Sequence, residues 1–158
     1  MQFNLYSYRL DVAVATARTF IQASPEDIFN VLSNADSYEH WVVGCQQIRA
    51  ADRAFPAPGS SFEHRIGIGP LRIRDITSVV ESSPPRRLVL RTRAWPLGET
   101  VVELRMHGQR GGTEIEMRQQ PAAGPIARLD NPLQQLSTSV RDRECLRRLR
   151  KLAEREAA

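Results

Sequence analysis

Apolar and polar residues alternate along most of this chain, and the alternation gives way to helical spacing near each end. From Ser61 to Ile68, the residues Phe62, His64, Ile66 and Ile68 share one parity while Glu63 and Arg65 take the other. This is the period of a strand with one buried face. Leu71 to Glu81 sets Leu71 and Ile73 against Arg72 and Arg74, and Leu88 to Trp95 sets Leu88, Leu90 and Thr92 against Arg91 and Arg93. Val101 to His107 sets Val102, Leu104 and Met106 against Glu103, Arg105 and His107, and Thr113 to Gln119 turns Ile115 and Met117 inward. Turn residues separate these runs: Gly67 to Pro70, Ser82 to Pro85, Pro96 to Gly98 and the pair Gly111-Gly112. Two earlier strands are expected at Val12 to Ala23 and Cys45 to Ala51, the second followed by a loop with two prolines and a glycine.

Between those two strands the period changes. Ser24 can cap a helix, Pro25 suits its first position, and Asp27 sits where a capping-box acid belongs. Ile28, Val31 and Leu32 then share a face, and Tyr38 and Trp41, three apart, bring both rings to one side of a second turn. Two short helices are therefore expected, at about 25–33 and 36–41. Pro121 to Pro125 interrupts the strand pattern, and a long helix is expected from about Ile126 to Ala153. Its apolar stripe runs through Leu129, Leu133, Leu136, Val140, Leu146, Leu149 and Leu152, with Pro132 as a kink or a false start. Successive hairpins with one wet face imply an antiparallel sheet, and this helix is its only long amphipathic cover. The expected fold class is thus α+β: a bent antiparallel β-sheet of six to seven strands wrapped around a long C-terminal α-helix. Leu136 and Val140 are expected to be buried against the sheet. Such an arrangement makes a container for something apolar.

Composition narrows the reading. At 158 residues with 41% hydrophobic and 25% charged residues, a single domain over 1–158 is expected. The formal charge is only +4, and the basic pI of 9.7 is set by arginine, since Lys151 is the sole lysine. Basic residues alternate with acids along the strands, which reads as a solvated sheet face, so no nucleic-acid partner is expected. No apolar run reaches the length of a membrane span, so no stable membrane insertion is expected. With no export signal in MQFNLYSYRLDVAV, a cytoplasmic location follows, where Cys45 and Cys145 stay reduced.

Chemistry-bearing motifs are sparse. There is no nucleophile elbow, P-loop or H-E-x-x-H pattern, and Gly67-Ile68-Gly69 lacks a third glycine and runs into Pro70. His40, His64 and His107 sit on different elements at no ligand spacing, so neither a metal nor a cofactor is expected. His64 stands out because its parity aims it inward, either as a hydrogen-bonded core histidine or as a ligand-binding or catalytic group. Asp75 has the parity of Leu71 and Ile73. It points inward unless a bulge turns it out and admits Ile76. Thr92 and Gln119 can add hydroxyl and amide contacts. Trp41 packs the helix pair on the sheet or lines a cavity, and Trp95 precedes Pro96 as a rim aromatic. Met106 and Met117 share the inward face. The arginines of the last helix, from Arg141 to Arg155, read as a solvent face.

The order of elements resembles the helix-grip fold of the START/Bet v 1-like (SRPBCC) superfamily, and within it the polyketide cyclase/dehydrase and lipid-transport family. The residues that carry the likeness are ASPEDIFNVLSNADSYEHW, GIGPLRIRDITSVVESSPPRRLVLR, GGTEIEMR and GPIARLDNPLQQL, over about 12–154. Where that family often has a proline shortly after the tryptophan, this chain has Val42 and Val43. The resemblance implies a cavity between sheet and C-terminal helix that binds a lipid, polyketide, isoprenoid or aromatic metabolite. Lining residues would be Trp41, Phe62, His64, Ile66, Ile73, Asp75, Leu90, Thr92, Leu104, Met106, Met117, Leu136 and Val140. Two alternatives stay open: a polyketide aromatase/cyclase with His64 and Asp75 as its catalytic groups, and a quinone or lipid chaperone with protein or membrane partners. A homodimer, and contact with an acyl carrier protein or a membrane surface, stay open as lesser alternatives.

Overall fold

Seven strands form one antiparallel sheet: β1 (Ala15–Ile21), β2 (Cys45–Arg49), β3 (Ser61–Ile68), β4 (Leu71–Ser83), β5 (Arg87–Ala94), β6 (Gly98–Gln109) and β7 (Gly112–Ala123). A computed structural model describes residues 15–68, 70–94, 98–123 and 132–158 of the chain, the side chains of 68, 123 and 132–137 excepted. The strand order is β1-β7-β6-β5-β4-β3-β2, so β3 to β7 form a meander, with β1 at one edge and β2 at the other. The outward residues are laced by ion pairs: Arg18–Glu116, Arg74–Glu63 and Arg87–Glu81 at 2.5 Å, and Arg93–Glu99 at 2.8 Å. Alternating acid and base thus covers the wet face of the sheet.

Three helices complete the architecture: α1 (Pro25–Ser33), α2 (Tyr38–Trp41) and α3 (Pro132–Ala157). The Ser24 Oγ accepts from the Asp27 amide at 3.1 Å, Pro25 takes the first turn, and Ile28, Phe29, Val31 and Leu32 are buried. A 3₁₀ turn, Ala35–Ser37, links α1 to α2. The Ser37 hydroxyl donates to Val31 O at 2.7 Å and the Tyr38 hydroxyl to Leu32 O at 2.8 Å. Those bonds lock the Tyr38 ring 4.9 Å from both Trp41 and Phe62. No described helix is long and apolar enough to cross a membrane.

The long helix packs along β1, α1 and α2. It buries Asp142, Cys145, Leu146, Leu149, Leu152 and Ala153. Val140 is 57% exposed and does not face the sheet as expected. The reason is helical phase. At about 100° per residue, Val140 lies nine residues and half a turn away from Leu149. Leu129 lies outside the described residues, as do the side chains of Leu133 and Leu136, Trp95, the residues before Ala15 and the stretch from 126 to 131. Pro132 opens the described part of α3. Strand boundaries also differ: β2 stops at Arg49, β4 runs on to Ser83, β6 already begins at Gly98, and β7 continues through Pro121, opposite Thr100, to Ala123. Pro121 has no N–H to give a ladder, and among the described residues its partner is Thr100 of β6.

Candidate functional site

Inward side chains shrink along the paired strands β5 and β6. In register they run Leu88 with Leu104, Leu90 with Val102, Thr92 with Thr100, and Ala94 with Gly98. The large end is filled: Leu88, Leu104 and Ile115 are fully buried together with Ile28 and Leu32 of α1. The small end is hollow. A cavity of about 530 Å³ opens there, bounded by α2, α3 and six strands, β2 to β7. In a flat sheet six strands would span about 24 Å, more than twice the width of such a cavity, so the sheet must curl around it.

Trp41, Phe62, His64, Ile66, Asp75, Leu90, Thr92 and Met117, all candidates from the sequence, line this space, as does Gln119. Leu104 and Met106 do not. They lie in the filled end, where α1 covers β6. Ile73 is only half-buried and does not reach the wall, although its cross-strand partner Ile66 does. Val140 misses it through the helical phase described above.

The polar part of the wall crosses three neighbouring strands. His64 on β3 lies directly opposite Asp75 on β4, with no register shift in this ladder. The bulge that would have turned Asp75 out falls later, between Val79 and Glu81 against β5. Asp75 is therefore inward and 1% exposed, and Ile76 is not the inward residue. His64 Nε2 stands 3.3 Å from Asp75 Oδ2 and 3.0 Å from Thr77 Oγ1. The Arg93 amide donates to Asp75 Oδ1 at 2.8 Å. On the other side, Cys45 pairs with Ile66, which places its thiol diagonally across from His64. Its Sγ is 3.3 Å from His64 Nδ1. With Asp75 ionised, the tautomer that suits these partners carries its proton on Nε2, toward Asp75 and Thr77, and leaves Nδ1 to accept from the thiol.

Burial sets the charges of this row. It pushes the His64 imidazole below its ordinary value and the Asp75 carboxyl above its own. It pushes the Cys45 thiol up to about 12, so at neutral pH sulfur holds its proton. From α3, Arg141 reaches the cavity and donates to Val43 O at 3.0 Å. Its neighbour Asp142 is wholly buried and accepts from Gln119 Nε2 at 2.6 Å, while its Oδ2 has no hydrogen-bond partner among the described residues. The Trp41 Nε1, on the cavity wall, is likewise without a partner there.

Four of these groups escape a reading of the sequence alone. Thr77 has the parity of Asp75 and could have been found by it. Cys45 is visible only once the β2–β3 register is known. Arg141 and Asp142 require the true phase of α3.

A curled antiparallel sheet closed over a cavity by a long C-terminal helix defines a helix-grip protein of the START/Bet v 1-like superfamily, whose members commonly bind hydrophobic ligands. Residues 22–154 match the model of the activator of Hsp90 ATPase homolog 1-like protein family, and the chain belongs to that family. No curated protein matches the chain significantly in sequence. Many solved structures share its fold. A protein from Chromobacterium violaceum superposes with a TM-score of 0.70 at 14% identity, over 90% of this chain and 98% of that one. One from Rhodobacter sphaeroides gives 0.67 at 22% identity, over 88% and 91%. DynU16, from the dynemicin biosynthetic locus, gives 0.66 at 14% identity, over 89% of this chain and 47% of its own.

Proposed function

We propose that the protein binds a hydrophobic small molecule bearing one polar group, such as a ketone or hydroxyl. The apolar body would lie against Trp41, Phe62, Leu90 and Met117, and the polar end would meet His64, Asp75 and Thr77. The observation that carries this reading is a cavity of about 530 Å³ with few, convergent polar groups. That is the size and chemistry of small-molecule sites. Burying about 250 Å² of apolar ligand surface would contribute about 6 kcal/mol before ordering costs. The test is calorimetry with a homologous series of alkyl ketones. Affinity should rise with chain length, carry a negative heat-capacity change and hold steady in salt. Absence of binding across the series, or affinity that collapses in salt, would refute it.

One observation favours the aromatase/cyclase alternative: a histidine and a carboxylate meet inside the cavity at 3.3 Å. An acid/base pair so placed can assist enolisation and loss of water from a poly-ketone. Turnover of a poly-ketone that disappears in His64→Ala, with binding retained, would establish it. Equal turnover by the variant would remove His64 from the chemistry.

A further inference from the structure

The row Cys45–His64–Asp75 has the connectivity of a nucleophile, its base and the group that orients the base. Sulfur faces Nδ1 at 3.3 Å, and the other ring nitrogen faces a carboxylate oxygen at 3.3 Å. All three side chains line the same cavity. The arrangement follows from the sheet, because β2, β3 and β4 are consecutive neighbours, Cys45 lies diagonal to His64, and His64 lies opposite Asp75. The second cysteine, Cys145, also lines the cavity but faces the Val43 amide at 3.3 Å. It serves as an internal control.

We propose that Cys45 captures electrophilic apolar ligands covalently, by conjugate addition to an α,β-unsaturated ketone held in the cavity. This rests on the small-molecule reading above. In the step, a sulfur electron pair forms a C–S bond to the β-carbon of the enone. The Sγ proton passes to His64 Nδ1, and the carbon–carbon π pair becomes the enolate. His64 then returns the proton to the α-carbon. Nothing is oxidised or reduced, no atom leaves, and the product is a saturated ketone thioether. Asp75 acts as a positioning residue: it holds the Nε2 proton and stabilises the transient imidazolium. The resting thiol is protonated in its buried site, so an electrophile reacts there only when it sits beside sulfur and histidine together.

The probe is vinyl pentyl ketone, with ethyl pentyl ketone as its unreactive, saturated analogue. Intact-mass spectrometry should show one adduct per chain, and peptide mapping should place it on Cys45 and not on Cys145. Labelling should be roughly a hundredfold faster than in His64→Gln, the effect of removing a positioned base. The pH profile separates a chemical role from a structural one. Between about pH 6 and pH 9 the wild-type rate should be nearly flat, because the proton moves within the row. In His64→Gln it should rise about tenfold per pH unit, because the thiolate must then form unaided. Asp75→Asn should move the profile toward that of His64→Gln. Cys45→Ala should form no adduct yet still bind ethyl pentyl ketone. Equal labelling of both cysteines, or a wild-type pH profile like that of His64→Gln, would overturn the proposal. Binding of ethyl pentyl ketone with no adduct from the enone would overturn it while leaving the cavity reading intact. Failure of both ketones to bind would overturn the two together.

Discussion

Asp142→Asn should stabilise the protein at pH 8 and leave it nearly unchanged near pH 4. Asp142, on α3, is completely buried. One carboxylate oxygen takes a single hydrogen bond from Gln119, and the other has no partner among the described residues. Burial pushes its pKa up to about 6, against the opposing pull of the Arg141 charge. A carboxyl that titrates near 3.9 when unfolded and near 6 when folded binds its proton more tightly in the native state. Its contribution is therefore fully present below about pH 4 and is lost as pH rises through about 6. At about 1.4 kcal/mol per unit, the loss is about 1.5 kcal/mol at pH 5 and approaches about 3 kcal/mol at pH 8, a ceiling because nearby dipoles relax around the charge. Asparagine keeps an acceptor for Gln119 and carries no charge, so the variant escapes that loss. Urea denaturation of both proteins at several pH values, followed by tryptophan fluorescence, measures the difference. It should widen between about pH 4 and pH 6 and level off above about pH 7, with m-values unchanged. A difference independent of pH, or a wild type that is the more stable at pH 8, would refute the burial argument.

Two further substitutions probe the packing. Gly112→Ala would bring a Cβ to 2.2 Å from Ile21 O and 2.8 Å from the Phe20 ring. A loss of about 1–3 kcal/mol is expected in thermal or urea denaturation, and an unchanged midpoint would show that β1 can yield there. Leu149→Ala should cost about 2–5 kcal/mol, whereas Val140→Ser should change stability by no more than about 0.5 kcal/mol. Comparable losses at both positions would mean that Val140 is covered after all.

The strands were legible because alternation reports directly on which face a side chain takes. That logic placed Phe62, His64, Leu90 and Met117 inward, and carried Asp75 with them once no bulge intervened. It could not report position along the strand. Leu104 and Met106 have the same parity as Val102, yet only Val102 reaches the cavity, because α1 fills the other end. Nor could it report register between strands, which is what brings Cys45 to His64. The last helix failed for a different reason. Its apolar residues change phase between Val140 and Leu146, and a stripe drawn through both joins two faces of one helix. Pro121 misled because a proline does not by itself end a strand: among the described residues it sits in β7 opposite Thr100 of β6.

Size, read in register, supplies what parity does not. A sheet face covered everywhere by large side chains would close against α3 as an ordinary core. Here the inward residues of β5 and β6 taper to Thr92, Ala94, Thr100 and Gly98, all of which line the cavity. Among the described residues α3 rests mainly on β1, α1 and α2. Polar groups in the wall of such a cavity need partners. Cys45, His64, Asp75 and Thr77 contact one another, and Asp75 accepts from the Arg93 amide of β5, so these polar side chains are partnered within the sheet. Side chains that served only to fill space would not need such a network. On the proposed function, a row already bonded within the sheet and facing the cavity is the fixed polar point that a guest's polar end would join.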